Sequence, residues 1–235
     1  MYLFLFFALP ILYYIFTILK NPAKELETEN TAQDSENPKI PTFSKGVMIV
    51  FGAILSVIYC FVDFFTAYAY RTPVYGLFTN FTYYFLSTIL VPMLVCAVPL
   101  FLLSKDSWIF KLQTYTPMLI GFYAIFLPYE VISKNDTFDF FLLFMIPVIY
   151  STMFFLQEYG LECIGLYINK KLSKKSLWIS VSAILLAILI PAMIYDFYFT
   201  KLFTPLAVIF SVVFMAGTFL LHYFSKQIQS KFQYQ

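Results

Sequence analysis

Apolar residues along this chain arrive in long blocks rather than alternating with polar ones. Seven blocks stand out: Tyr2–Leu19, Val47–Tyr70, Leu77–Leu103, Tyr115–Ile132, Phe138–Leu156, Leu177–Phe199 and Leu202–Tyr223. A segment that is apolar on every side has no face to turn to water. A hydrocarbon core about 30 Å thick takes about 20 helical residues to cross. In hydrocarbon the backbone must satisfy its own polar groups, and a helix does so within one segment. The pattern therefore predicts an all-α, polytopic bundle of seven transmembrane helices in a single membrane domain over residues 1–235.

The first block is expected to be a retained helix. No charge precedes Lys20, and no small-residue cleavage site follows it, so it does not match a secretory signal. Residues 21–45 break the pattern. Glu25, Glu27, Glu29, Asp34 and Glu36 lie there with Lys20's neighbours Lys24, Lys39 and Lys45, and with Pro22, Pro38 and Pro41. So polar a segment buries too little surface to offset the entropy of ordering it. It is expected to be a flexible cytoplasmic loop, a solvated connector or a docking tail. Pro10, Pro92, Pro99, Pro117, Pro128, Pro147, Pro191 and Pro205 fall within or at the ends of apolar blocks. Each leaves a carbonyl that neighbouring helices must satisfy.

Composition removes the alternatives. Hydrophobic residues make up 61% of the chain, aromatics 22%, and charged residues 12%, against about 25% charged in a soluble domain. A soluble globular enzyme is excluded. Charge placement then gives direction, since cytoplasmic loops carry the excess of Lys and Arg. The connections alternate between rich (Lys20 to Lys45; Lys105 and Lys111; Lys170 to Lys175; Lys226 and Lys231) and poor (Arg71; Lys134; Lys201). With the rich side inside, 12 positive residues are cytoplasmic and 3 are not. This predicts an N-out, C-in topology. The Phe, Tyr, Ile and Lys bias points to an AT-rich bacterial genome, and so to a bacterial cytoplasmic (inner) membrane. No basic stripe for nucleic acid occurs. Cys60, Cys96 and Cys163 are odd in number and sit within or against apolar blocks, as buried, inert thiols do.

Ionisable groups inside membrane spans are functional candidates by default. Asp63, about two turns from the outer end of the second block, is a candidate to bind a cation, relay protons or accept hydrogen bonds from nearby tyrosines. Glu130 and Asp196 lie near the outer interfaces, where water is expected to solvate them beside Lys134 and Lys201. Glu158 and Glu162, four apart, share a helix face at the cytoplasmic end of the fifth block. They either repel, leaving one protonated, or are neutralised by Lys170 and Lys171. His222 is the single histidine, at the cytoplasmic end of the last block. No ligand spacing for a metal occurs, and no phosphate loop, dinucleotide fingerprint or nucleophile elbow is present. No cofactor is expected. Asn80-Phe81-Thr82 and Asn135-Asp136-Thr137 match the glycan acceptor pattern in positions unsuited to modification.

Gln157-Glu158, Glu162, the connector residues Leu172 and Lys174–Lys175, Ser182-Ala183 and Ile190 together resemble the core of the CAAX-protease and bacteriocin-processing (CPBP, or Abi) family of intramembrane proteases. The resemblance covers residues 157–190. In that family the motif is Glu-Glu-x-x-x-Arg, followed by a helix with Ser-Ala and a catalytic histidine, and a further histidine in a later helix. Here Gln157 stands at the first Glu, Glu162 at the Arg and Ile190 at the histidine; of the catalytic set, Glu158 and His222 alone keep the family's residue types. The resemblance implies a fold without the catalysis. The expected function is thus a non-enzymatic accessory or scaffold component, in contact with the bilayer and with another membrane protein. The alternatives are a transporter or permease for a small or hydrophobic solute, working through Asp63, and an intramembrane hydrolase working through Glu158 and His222.

Overall fold

The computed structural model describes residues 7–12, 42–67, 81–105, 108–133, 141–168, 174–201 and 203–232. Among these there is helix and no strand. After a helical stretch at 7–12 come six long helices. We label them α1 (Thr42–Ala67), α2 (81–103), α3 (Trp108–Ser133), α4 (141–168), α5 (Lys174–Phe199) and α6 (Thr204–Phe232). Four contain stretches long and apolar enough to cross a membrane: Lys45–Thr66, Phe81–Leu103, Phe110–Ser133 and Leu177–Phe199. They coincide with the second, third, fourth and sixth apolar blocks. The protein is a helical membrane protein. Most of the first block and of the polar segment 21–45 lies outside the described residues, but α1 already begins at Thr42.

Burial ranks the helices. Of the apolar stretch of α3, 72% is buried against other helices; for α1 the share is 11%. α3 is the axis of the bundle and α1 lies at its margin. Val50, Phe61 and Phe65 on α1 and Val212, Val213 and Phe219 on α6 point outward. In water such faces would be an aggregation hazard; against lipid they are the expected solvent contact.

Neighbours in sequence run in opposite directions. α3 and α4 are antiparallel, with Tyr123 beside Phe154 (ring centroids 5.4 Å apart). A Cβ on Gly165 would come within 3.9 Å of Leu112. α4 and α5 are also antiparallel: Gly160 lies against Ser180 and Ile184, and Tyr150 against Tyr195. α1 and α3 run parallel and very close. A Cβ at Gly52 would run into the Met118 carbonyl oxygen, and one at Gly121 into that of Ile49. One glycine from each helix makes the approach possible, a small-residue packing typical of membranes in a chain without a Gly-x-x-x-Gly motif.

α2 is irregular. Its Tyr84–Leu90 and Pro99–Leu103 segments are π-helical, with an α segment, Val91–Val98, between them. α4 also begins in a π turn, Phe141–Met145. Pro92 and Pro99 each lack an amide N–H, so regular hydrogen bonding cannot run through them, and widening to i→i−5 is one local response. At the opposite end of α2 the Lys111 ammonium donates to the Phe101 carbonyl at 3.3 Å and lies 5.6 Å from the Trp108 ring. A cation there satisfies a terminal carbonyl and the negative end of the helix dipole.

Candidate functional site

Because α1, α3 and α5 run the same way, their C-terminal ends meet at one end of the bundle. That end holds Asp63, Glu130 and Asp196. The reading of Glu130 and Asp196 as solvated interfacial groups is corrected by the packing: they are 6% and 2% exposed. Distance from the end of a helix does not give exposure when neighbouring helices are as long.

Glu130 is gripped from two other helices. The Thr88 hydroxyl of α2 donates to its Oε1 at 2.9 Å, and the Tyr150 hydroxyl of α4 to its Oε2 at 3.4 Å. Thr88 lies in the π segment, four residues before Pro92. In an α-helix the amide of residue 92 would bond the carbonyl of Thr88; in a π-helix it would bond that of Ser87. Proline supplies neither bond, and both carbonyls take a tyrosine instead. Tyr123 of α3 donates to the Thr88 oxygen at 2.9 Å, and Tyr59 of α1 to the Ser87 oxygen at 3.0 Å. The proline break in α2 is thus sealed by hydroxyls from two helices, and the same turn presents Thr88 to Glu130.

An aromatic wall surrounds the carboxylate. The Tyr123 and Tyr150 rings are 4.7 Å apart between centroids, Tyr150 and Tyr195 5.9 Å, and Tyr84 and Tyr195 6.0 Å. Removal from water strengthens each bond to the carboxylate and raises the cost of breaking it. Asp63 lies four residues before Ala67, the last described residue of α1. It is half-buried and accepts a hydrogen bond from Tyr129 at 2.7 Å. Of the readings open to Asp63, this is the tyrosine-acceptor one. Asp196 stands apart from these bonds, and its Oδ1 has no hydrogen-bond partner.

The second candidate group is in a different place. α4 runs on to Ile168, so Gln157, Glu158 and Glu162 lie within a helix rather than at its end. Gln157 is buried at 1% exposure, while Glu158 and Glu162 are half-buried. The Gln157 amide contacts the Met93 sulfur at 3.6 Å. Lys170 and Lys171 lie outside the described residues, as does Lys134. The backbone of His222 belongs to α6, but its side chain is not among those described, so no meeting of Glu158 with His222 is on view. Among the described residues no group of three or more His, Cys, Asp or Glu is placed to hold a metal ion.

The sequence reading missed Thr88, Tyr150, Tyr123 and Tyr59. A signal existed for the first: a hydroxyl residue one turn before a proline inside an apolar block. The tyrosines carried none, since 19 of them are spread along the chain. No family model, no curated protein and no solved structure matches this chain.

Proposed function

We propose that the protein is a non-enzymatic, multi-pass protein of a bacterial cytoplasmic membrane, oriented N-out and C-in, and that it works as a proton-linked carrier of a small solute with Glu130 as its proton site. The supporting observation is the grip of Thr88 and Tyr150 on a buried carboxylate, with Thr88 on the π turn beside Pro92. An ionisable residue held at membrane depth is costly to keep and is a functional candidate by default. Ionised Glu130 accepts from both hydroxyls. Protonated Glu130 becomes a donor, so one hydroxyl must turn away or accept. Each proton therefore changes the tie between α2, α3 and α4, and a ligand or proton shifts a conformational equilibrium only through such differential bonding. The π turn is the element of α2 with the least regular bonding to lose.

Infrared difference spectroscopy on the reconstituted protein tests this. The carbonyl band of a protonated carboxyl should appear and vanish with pH, and Glu130→Gln should abolish that band. If Glu130 keeps one protonation state across the whole pH range in which the protein stays folded, the carboxylate is a structural tie, and the passive scaffold reading takes its place.

A further inference from the structure

Gln157 and Thr116 present a problem that the Glu130 site does not address. The Gln157 Oε1 and the Thr116 Oγ1 have no hydrogen-bond partner, and both residues are 1% exposed. Each sits on a helix of the bundle's interior, Thr116 on α3 and Gln157 on α4. The antiparallel register set by the Tyr123–Phe154 and Leu112–Gly165 contacts puts Gln157 level with Ile120. Thr116 is one turn from that level, about 6 Å along the axis. On α3, Leu112, Thr116, Leu119 and Tyr123 follow helical spacing and share the side that meets α4.

The third wall is α2. Met93 touches the Gln157 amide through its sulfur, and its carbonyl accepts the Tyr115 hydroxyl at 3.1 Å. The Gln157 amide nitrogen thus rests on a weak sulfur acceptor, while its oxygen, a strong acceptor, has no protein donor. A buried amide left so loses more than a typical hydrogen bond contributes, and the surrounding helices could have carried Leu at this position. Two unsatisfied polar atoms in one seam are what a small hydrogen-bonding molecule would satisfy, and buried waters typically make about three bonds to such groups.

We propose that Gln157 and Thr116, with Met93 and Tyr115, line a hydrated station in the α2–α3–α4 seam that takes water. It lies about 15 Å along the bundle from Glu130, ten residues at the helical rise. The inference stands on the two unsatisfied side chains and the register. It deepens the carrier reading by giving the seam a second polar stop, but it holds or fails without it.

X-ray radiolytic footprinting of the protein in detergent tests the station, because hydroxyl radicals formed from bound water oxidise the side chains beside it. Met93 and Tyr115 are the built-in reporters, and Met118, buried on the α1 side of α3, is the dry reference. Met93 and Tyr115 should label several-fold faster than Met118. Gln157→Leu or Thr116→Val should bring them down to its level. Equal labelling of Met93 and Met118 in the parent protein overturns the proposal, and so does fast labelling that survives both substitutions. The parent measurement stands even if a variant fails to fold. The infrared test of Glu130 is independent of this result, so either proposal can fail alone.

Discussion

At the scale of single residues, Glu130 and Gln157 matter because of what surrounds them, and sequence position conveyed little of that. Glu130 lies two residues from the end of its apolar block at Ile132, which placed it at an interface on paper. The neighbouring helices extend as far and close over it, leaving it 6% exposed. Asp63, about two turns from the outer end of its apolar block by sequence, is half-buried and bonded to Tyr129, a partner that its position in the block did not name. The glycines show the same limit. Gly52 and Gly121 carry no motif, yet each lies against the backbone of the facing helix. Adding a single methyl there must push α1 and α3 apart. Gly52→Ala and Gly121→Ala should each destabilise the protein by about 1–3 kcal/mol, the usual range for overpacking, in a thermal or denaturant titration in detergent. Gly46→Ala, where a Cβ meets nothing within 4 Å, is the matched control and should be neutral.

At the scale of elements, the second, third, fourth and sixth apolar blocks coincide with helices able to span a membrane, since a run of apolar residues is a direct statement about solvent. The block pattern did not reveal where α2 departs from α-helical bonding, or which residues repair it. Proline marks where a bond is lost, but its repair depends on side chains from other helices, here Tyr59 and Tyr123. That repair is open to a double-mutant cycle. Tyr123→Phe removes the donor to the Thr88 carbonyl and should cost about 1–3 kcal/mol, the penalty for a buried group left unpaired. Pro92→Ala restores an amide that can take the carbonyl back. In the Pro92→Ala background the cost of Tyr123→Phe should shrink if the new amide bonds Thr88. If it instead bonds Ser87, the cost of Tyr59→Phe should shrink. Additive effects for both tyrosines would refute the account of the proline break. The extension of α4 to Ile168 was also hidden from the block pattern. Gln157 and Glu158 lower the local hydropathy, and a helix that packs on α5 through Gly160 does not need an apolar sequence to continue.

At the scale of the whole molecule, the membrane assignment was legible in composition, and the described helices bear it out. Direction rests on charge. The split of 12 positive residues against 3 predicts residues 21–45 and the C-terminus inside. The three native cysteines are buried, so Ser35→Cys and Ser230→Cys can be labelled one at a time against a quiet background. Neither should react with a membrane-impermeant maleimide in intact cells, and both should react after permeabilisation. Reaction of either in intact cells would reverse the topology. The packing agrees with the sequence that Asp63, Glu130 and Asp196 belong to one end, because three alternate helices deliver their C-termini there. Lys111 occupies the other end.

The depth of Glu130 within α3 has an electrical consequence. Moving one elementary charge across the full membrane is worth about 2.3 kcal/mol per 100 mV. With Ser133, the last described residue of the span, set at the edge of a core about 30 Å thick, Glu130 lies about 5 Å inside it, three residues at the helical rise. A proton entering from that end and stopping at Glu130 crosses about a sixth of the field, worth ~0.4 kcal/mol per 100 mV if the field falls evenly. A charge continuing to the level of Gln157 crosses about two thirds, worth ~1.5 kcal/mol. On the proposed carrier reading, the step from that end to Glu130 is thus nearly indifferent to voltage, and any charge carried on through the hydrated level of Gln157 meets most of the membrane potential.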